Sequence, residues 1–317
     1  MKPVVLALTG PTTTGKTELS LALAHRLGAE VISMDSRQVY RGLDIGTDKL
    51  SPAAREGIPH HGLDRVPPEE RYSAGAFARD ARRWIEQIRD RGRLPMLVGG
   101  TGFFLRAVTD PMFREPPLDA ERRGRLRRRL ESMTAREMGR WVAALDPGRH
   151  AVAVQGGRQR LARTIEVALL TGRPLSWWHR EAPPEAPGVP ALIVVLELDR
   201  DALDRRIDAR VARMVERGLV QEVRTLLDAG VQPEDPGMTA TGYREVAWAI
   251  LGRMSLEEGL ERMRRQTRQY ARRQMTWFRN QLPRGTLRLD AALPLAERVR
   301  QVTEAWQRAQ AGQETRE

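Results

Sequence analysis

The chain has 317 residues, 41% of them hydrophobic, enough for about two domains with a substantial core. It contains no cysteine, which excludes disulfides and thiolate metal sites; its longest apolar run, Ala191 to Leu196, is strand-sized and too short to span a membrane. The formal net charge of +12, from 53 Lys plus Arg against 41 Asp plus Glu, points to a polyanionic partner.

Met1-Lys2-Pro3 leads straight into Val4 to Leu8, an apolar β-type run, so no signal peptide and a cytoplasmic location are expected. A helix is predicted over 16–27, a strand over Val31 to Met34, a helix over 74–91 and a strand from Leu94 to Val98. Asp110-Pro111 and Glu115-Pro116-Pro117 open a different stretch. It carries basic helical segments at about 119–145 and 158–171 and closes on a proline-rich linker, Ala182 to Pro190. A fourth strand, Leu192 to Leu198, precedes long helices over 200–230 and 255–282, and the polar tail after about 305 is expected to fray. This alternation predicts an α/β fold: a P-loop NTPase-like parallel sheet flanked by helices, with a helical insertion. The core is assigned to 1–109 plus 191–317, with the C-terminal helices, and the insertion to 110–190.

Residues Gly10, Pro11, Thr12, Thr13, Thr14, Gly15, Lys16 and Thr17 satisfy G-x-x-x-x-G-K-[ST], between an apolar strand and a helix. Glycines let the backbone N–H groups converge on phosphate oxygens, the helix N-terminus adds partial positive charge, and Thr17 is a candidate ligand of Mg²⁺. Lysine occurs only as Lys2, Lys16 and Lys49, so Lys16 is a point charge kept where arginine does nearly all other basic work.

Ligands of such sheets gather at the carboxyl ends of the strands. Asp35 follows the second strand, where it could hold Mg²⁺ through water or take a proton from a nucleophile. Gly99-Gly100-Thr101-Gly102 follows the third and brings backbone N–H groups and a hydroxyl to the same end, taking the place of the clear Walker B strand that a motor NTPase would need after residue 90. Arg206 and Arg210 share a helix face and can clamp a diphosphate. The five histidines are too dispersed for a metal cage. Six arginines lie within 121–130, and a second cluster comprises Arg262, Arg264, Arg265, Arg268, Arg272, Arg273 and Arg279 on a helix whose other face carries Leu256, Leu260, Met263, Tyr270, Gln274 and Trp277. From these residues alone three readings stand: a group-transfer enzyme acting on nucleic acid, a small-molecule phosphoryl-transfer kinase, and a non-catalytic nucleotide-gated RNA-binding protein.

The order of further motifs resembles the tRNA dimethylallyltransferase family over most of the chain. They include Asp35-Ser36 with Gln38-Val39-Tyr40, Asp44-Ile45-Gly46-Thr47, Tyr72-Ser73, Gly99-Gly100-Thr101, Gln159-Arg160 with Arg163 and Glu166, Arg206-Ile207 with Arg210, Gly242-Tyr243-Arg244-Glu245, and Thr267-Arg268 through Thr276-Trp277. The chain departs from the family pattern at Asp48, where a small residue is usual, at Gly156-Gly157-Arg158, and at Thr241.

The resemblance implies transfer of a dimethylallyl group from dimethylallyl diphosphate to N6 of adenosine 37, beside the anticodon of tRNA. It implies Asp35 as general base, with Thr101 and Arg210 also catalytic, diphosphate on residues 10–17, and Mg²⁺ on Thr17. The tRNA anticodon stem-loop is implied to meet Asp35, Ser36, Arg37, Gln38, Thr101, Arg123, Gln159, Arg160, Leu161, Ala162, Arg163, Gly242, Tyr243 and Arg244. A monomer with no membrane partner is expected.

Overall fold

The computed structural model describes residues 4–114 and 116–311. Met1-Lys2-Pro3, Glu115 and the end of the polar tail lie outside the described residues. The chain divides into two compact units, residues 1–110 with 188–317, and residues 111–187.

The larger unit is built around central strands that are largely apolar, as a sheet covered on both faces requires. In chain order come β1 (Val5–Thr9), α1 (Lys16–Leu27), β2 (Ala29–Ser33), β3 (His60–His61), α2 (Ala74–Asp90), β4 (Leu94–Gly99) and α3 (Gly102–Thr109). The described residues form a six-stranded sheet of order β3-β2-β4-β1-β5-β6 in which every pairing is parallel. Register places Thr9 beside Gly99 and Val195, and Ser33 beside Val98, so the carboxyl ends of β1, β2, β4 and the fifth strand lie side by side. Leu6, Leu8 and Met96 of the sheet pack with Leu19 and Leu23 of α1.

The smaller unit holds α4 (Ala120–Glu131), α5 (Ala135–Leu145), α6 (His150–Gln155), α7 (Arg158–Thr171) and α8 (Leu175–Glu181). The helix predicted over 119–145 is two helices: Thr134 and Glu137 form a capping box that starts α5 afresh. Leu130, Met138, Val142, Ala153, Leu161 and Ile165 make this unit's own core, and Met112 bridges Ala186 at its two ends.

The larger unit resumes with β5 (Ala191–Glu197), α9 (Arg200–Glu216), α10 (Leu219–Asp228), α11 (Tyr243–Ile250), α12 (Leu256–Gln281), β6 (Leu287–Asp290) and α13 (Leu295–Ala311). The stretch 200–230 is likewise two helices, because Gly218 takes a left-handed φ of 99° between α9 and α10. The fraying expected after 305 is not found through Ala311: Val302 and Thr303 are buried, and they anchor α13. β3 and β6, the two edge strands, are too short to read from periodicity.

Candidate active site

The glycine loop between β1 and α1 is held open by its own backbone. Gly10 has a φ of 145°, and a Cβ there would stand 2.6 Å from the Leu196 carbonyl oxygen of β5. Thr13 takes a left-handed φ of 65°, costly for a β-branched residue, and its Oγ1 is buried without a hydrogen-bond partner among the described residues. An unpaired buried hydroxyl in a strained loop at a helix N-terminus suits an anion's oxygen. Lys16 Nζ donates to the carbonyls of Gly10 (2.9 Å) and Pro11 (2.6 Å). Burial first, then the Arg210 guanidinium, push this ammonium down to about 7, with Asp35 opposing.

Asp35 and the Thr101 turn stand across the cavity, because β2 and β4 are neighbours. Asp35 Oδ1 accepts the Arg37 N–H (2.8 Å). Thr101 Oγ1 accepts the Ser36 N–H (3.1 Å), tying the two strand ends together. The cavity, of about 410 Å³, is lined by Lys16, Thr17, Asp35, Arg37, Gln38, Gly100, Arg206, Arg210, Tyr270 and Gln274, all in the larger unit. Arg210 Nη1 donates to Thr12 Oγ1 (3.0 Å), and Arg206 reaches the Thr13 carbonyl (3.4 Å).

Two site residues escaped the sequence reading because they lie on the packing face of α12. Gln274, 6% exposed, accepts the Thr12 N–H (3.0 Å) and donates to the Gly100 carbonyl (2.7 Å), joining the phosphate loop to the β4 turn. Its signal was a polar residue at a core position of an amphipathic helix. Tyr270 hydrogen-bonds Thr101, and its phenol is pushed up to about 12, by burial first and then by the Asp35 charge.

Several residues assigned to RNA contact do other work. Tyr243 is wholly buried; its hydroxyl donates to Glu222 (2.5 Å) and accepts the Gly46 N–H (3.0 Å). Gly242 is buried, and a Cβ there would meet Met263 at 2.4 Å. Neither presents a surface to RNA, because α11 packs its first turn inward. Arg244 is partly exposed, with Nε donating to the Pro233 carbonyl (2.9 Å). Ser36, Arg37 and Gln38 remain beside Asp35: Arg37 donates to Thr239 Oγ1 (2.7 Å), and Gln38 accepts from Ser33 Oγ (2.9 Å).

In the smaller unit, Gln159 and Arg160 are exposed on α7, Ala162 is half-buried, and Leu161 is core at 2% exposure, which withdraws its side chain from RNA. Arg163 is half-buried. Arg123 Nε donates to Glu166 Oε2 (2.9 Å) and Arg127 Nε to Oε1 (2.7 Å), so part of the first arginine cluster serves to neutralise a buried carboxylate. Part of the second is likewise tied down, Arg268 to Asp208 and Arg272 to Asp204. Arg265, Arg273 and Arg279 stand exposed on α12.

Among the described residues no group of three or more His, Asp or Glu could hold a metal by itself. The donors at the phosphate loop are the exposed Thr17 hydroxyl and the Asp35 carboxylate. Hard oxygens of this kind fit a magnesium ion that takes its remaining ligands from a diphosphate and water.

Fold and site together define an α/β phosphate-loop transferase, in which a carboxylate and a glycine turn face the phosphate cradle. The sequence profile of the IPP transferase family matches residues 38–281, and that of isopentenyl transferases matches residues 3–65. The tRNA dimethylallyltransferase of Thermomicrobium roseum is 46% identical over 88% of this chain and 84% of its own length; that of Halorhodospira halophila is 45% identical over 89% and 91%. Among solved structures, the full-length tRNA isopentenylpyrophosphate transferase of Bacillus halodurans superposes with a TM-score of 0.72 at 33% identity, covering 98% of each chain. A eukaryotic dimethylallyltransferase acting on tRNA gives 0.78 at 30% identity, over 90% of this chain and 73% of that one. The chain belongs to the IPP transferase family.

Proposed function

We propose that this chain transfers the dimethylallyl group of dimethylallyl diphosphate to N6 of adenosine 37 in tRNA, releasing diphosphate. The observation that carries the reading is one cavity in which the Lys16 loop and Arg210 face Asp35 and the Gly99-Gly100 turn, with Thr101 next in the chain and bonded to the Ser36 N–H. One side suits a diphosphate and the other suits an amine that must lose a proton.

In the reaction the N6–C1 bond forms as the C1–O bond breaks, and the bonding pair leaves with the diphosphate. The loop N–H groups, Lys16, Arg206 and Arg210 neutralise the charge growing there, and preorganised stabilisation of this type is usually a large catalytic contribution. The N6 proton passes to Asp35, held in place by the Arg37 N–H; general-base help of this kind is worth roughly 10²–10⁴ in rate. Thr101 fixes the Ser36 backbone and, through Tyr270, the wall against which the extruded adenine would rest. Thr17 would hold Mg²⁺, which would supply further charge neutralisation at the diphosphate.

The net charge of +12 and the exposed Arg160, Arg265, Arg273 and Arg279 support an anticodon stem-loop as partner. A cavity lined by one chain supports a monomer, and a tRNA substrate supports a cytoplasmic location. No helix among the described residues is long and apolar enough to cross a membrane.

The test is a transfer assay with unmodified tRNA, Mg²⁺ and labelled dimethylallyl diphosphate, beside a parallel with γ-labelled ATP. Prenyl label on tRNA, lost in Asp35→Asn with tRNA binding kept, is the expected result. Label moving only from ATP would make the chain a kinase and refute the proposal.

A further inference from the structure

We infer that Asp48 is a built-in counter-anion for Arg210, a positioning residue that competes with the departing diphosphate for the clamp guanidinium and so hastens its release. The inference rests on the reading of Arg210 as a diphosphate ligand given above.

Asp48 sits on a turn held from both sides. Glu222 accepts the backbone N–H groups of Asp44 (3.1 Å), Ile45 (2.7 Å) and Gly46 (3.3 Å). On the other side the buried Lys49 ammonium donates to the Tyr40 carbonyl (2.9 Å) and to Asp64 (2.6 Å). Asp48 itself has a φ of 56°, a conformation that Asp and Asn tolerate better than most residues. The turn therefore presents a carboxylate to the cavity wall in a fixed position.

That carboxylate is shared. Oδ2 lies 3.6 Å from Arg210 Nη1, and Oδ1 lies 3.1 Å from Arg217 Nη1. Arg210 hangs between two supports of unequal strength. Toward the phosphate loop it makes a 3.0 Å hydrogen bond to Thr12 Oγ1; toward the Asp48 turn it makes only the 3.6 Å ion pair and a 3.4 Å contact with the Thr47 carbonyl. An arriving diphosphate displaces the weaker support. As the diphosphate leaves, the carboxylate reclaims the guanidinium without any backbone movement. Arg217 draws on the same carboxylate and so moderates its hold on Arg210.

Two variants should therefore act with opposite sign. Asp48→Asn keeps the backbone conformation and removes the charge, and should tighten inorganic diphosphate binding about two- to fivefold, the scale of a partly exposed ion pair. It should lower the KM for donor, with a lower kcat where product release limits turnover. Arg217→Ala leaves Asp48 to Arg210 alone and should weaken diphosphate binding about two- to threefold. Binding is read by titration calorimetry on the full chain with inorganic diphosphate, and as product inhibition during prenyl transfer. Unchanged or weaker binding in Asp48→Asn, or movement of both variants in one direction as loss of a merely structural contact would give, overturns the inference. Failure of the unsubstituted chain to bind diphosphate would instead overturn the assignment of the site, and this inference with it.

Discussion

On the proposed assignment of the loop to diphosphate, Lys16 should make binding pH-dependent in a direction that can be worked out. Its ammonium titrates at about 7, below the ordinary lysine value of 10.5, because it is buried beside Arg210. A bound diphosphate supplies opposite charge and raises that value again, so binding takes up a proton wherever the free lysine is neutral. The protonated fraction falls from about one half at pH ~7 to a few per cent or less at pH ~9, so affinity should fall by more than about tenfold, on the order of 2 kcal/mol, across that range. Below about 7 the curve should flatten. The assay is equilibrium binding of dimethylallyl diphosphate without tRNA, so that no chemistry intervenes. Lys16→Arg carries a charge that does not titrate and reports the ligand's own ionisation as a baseline. Arg210→Ala removes the second cause of the depression and should move the break to higher pH. A wild-type profile parallel to that of Lys16→Arg would refute the reasoning, since the lysine would then not be the titrating group.

Gln274→Met keeps volume but abandons the Thr12 N–H and the Gly100 carbonyl; at about 1–3 kcal/mol per buried unsatisfied group, the melting temperature should fall by roughly 5–10 °C, with a raised donor KM, both checked by calorimetry and steady-state kinetics. Tyr243→Phe removes the hydroxyl between Glu222 and Gly46. It should cost about 1–2 kcal/mol in denaturant unfolding and leave the tRNA Kd within about twofold; a large loss of tRNA affinity with stability intact would reinstate Tyr243 as a contact. Glu166→Gln leaves Arg123 and Arg127 sharing a neutral amide. It should destabilise residues 111–187 by about 2–4 kcal/mol, seen as faster amide exchange in α4 and α7, and unchanged exchange there would count against a structural role for that trio.

The phosphate loop was legible because its chemistry is local. Gly10 to Thr17 lie within one strand–turn–helix, and each residue's reason for being there is written in its neighbours. The parallel sheet followed from apolar runs alternating with amphipathic helices, and Asp35 and Thr101 could be placed at strand ends by counting. Edges and breaks were less visible: β3 is two residues long, and the breaks after Glu131 and at Gly218 interrupt patterns that periodicity alone would continue.

Only the tertiary structure decided which charged and polar residues are spent within the protein. Arg123 and Tyr243 look like RNA ligands in sequence, but one neutralises a buried carboxylate and the other clamps a turn. Gln274 looks like part of a packing stripe, yet it joins two loops separated by about 90 residues of sequence through contacts that no local pattern encodes. The sequence by itself determined the strand–glycine loop–helix unit and the parallel α/β class, because backbone geometry and burial act over a few residues at a time. The partners of each charge depend on which helix faces reach the same cavity, and that was settled by packing.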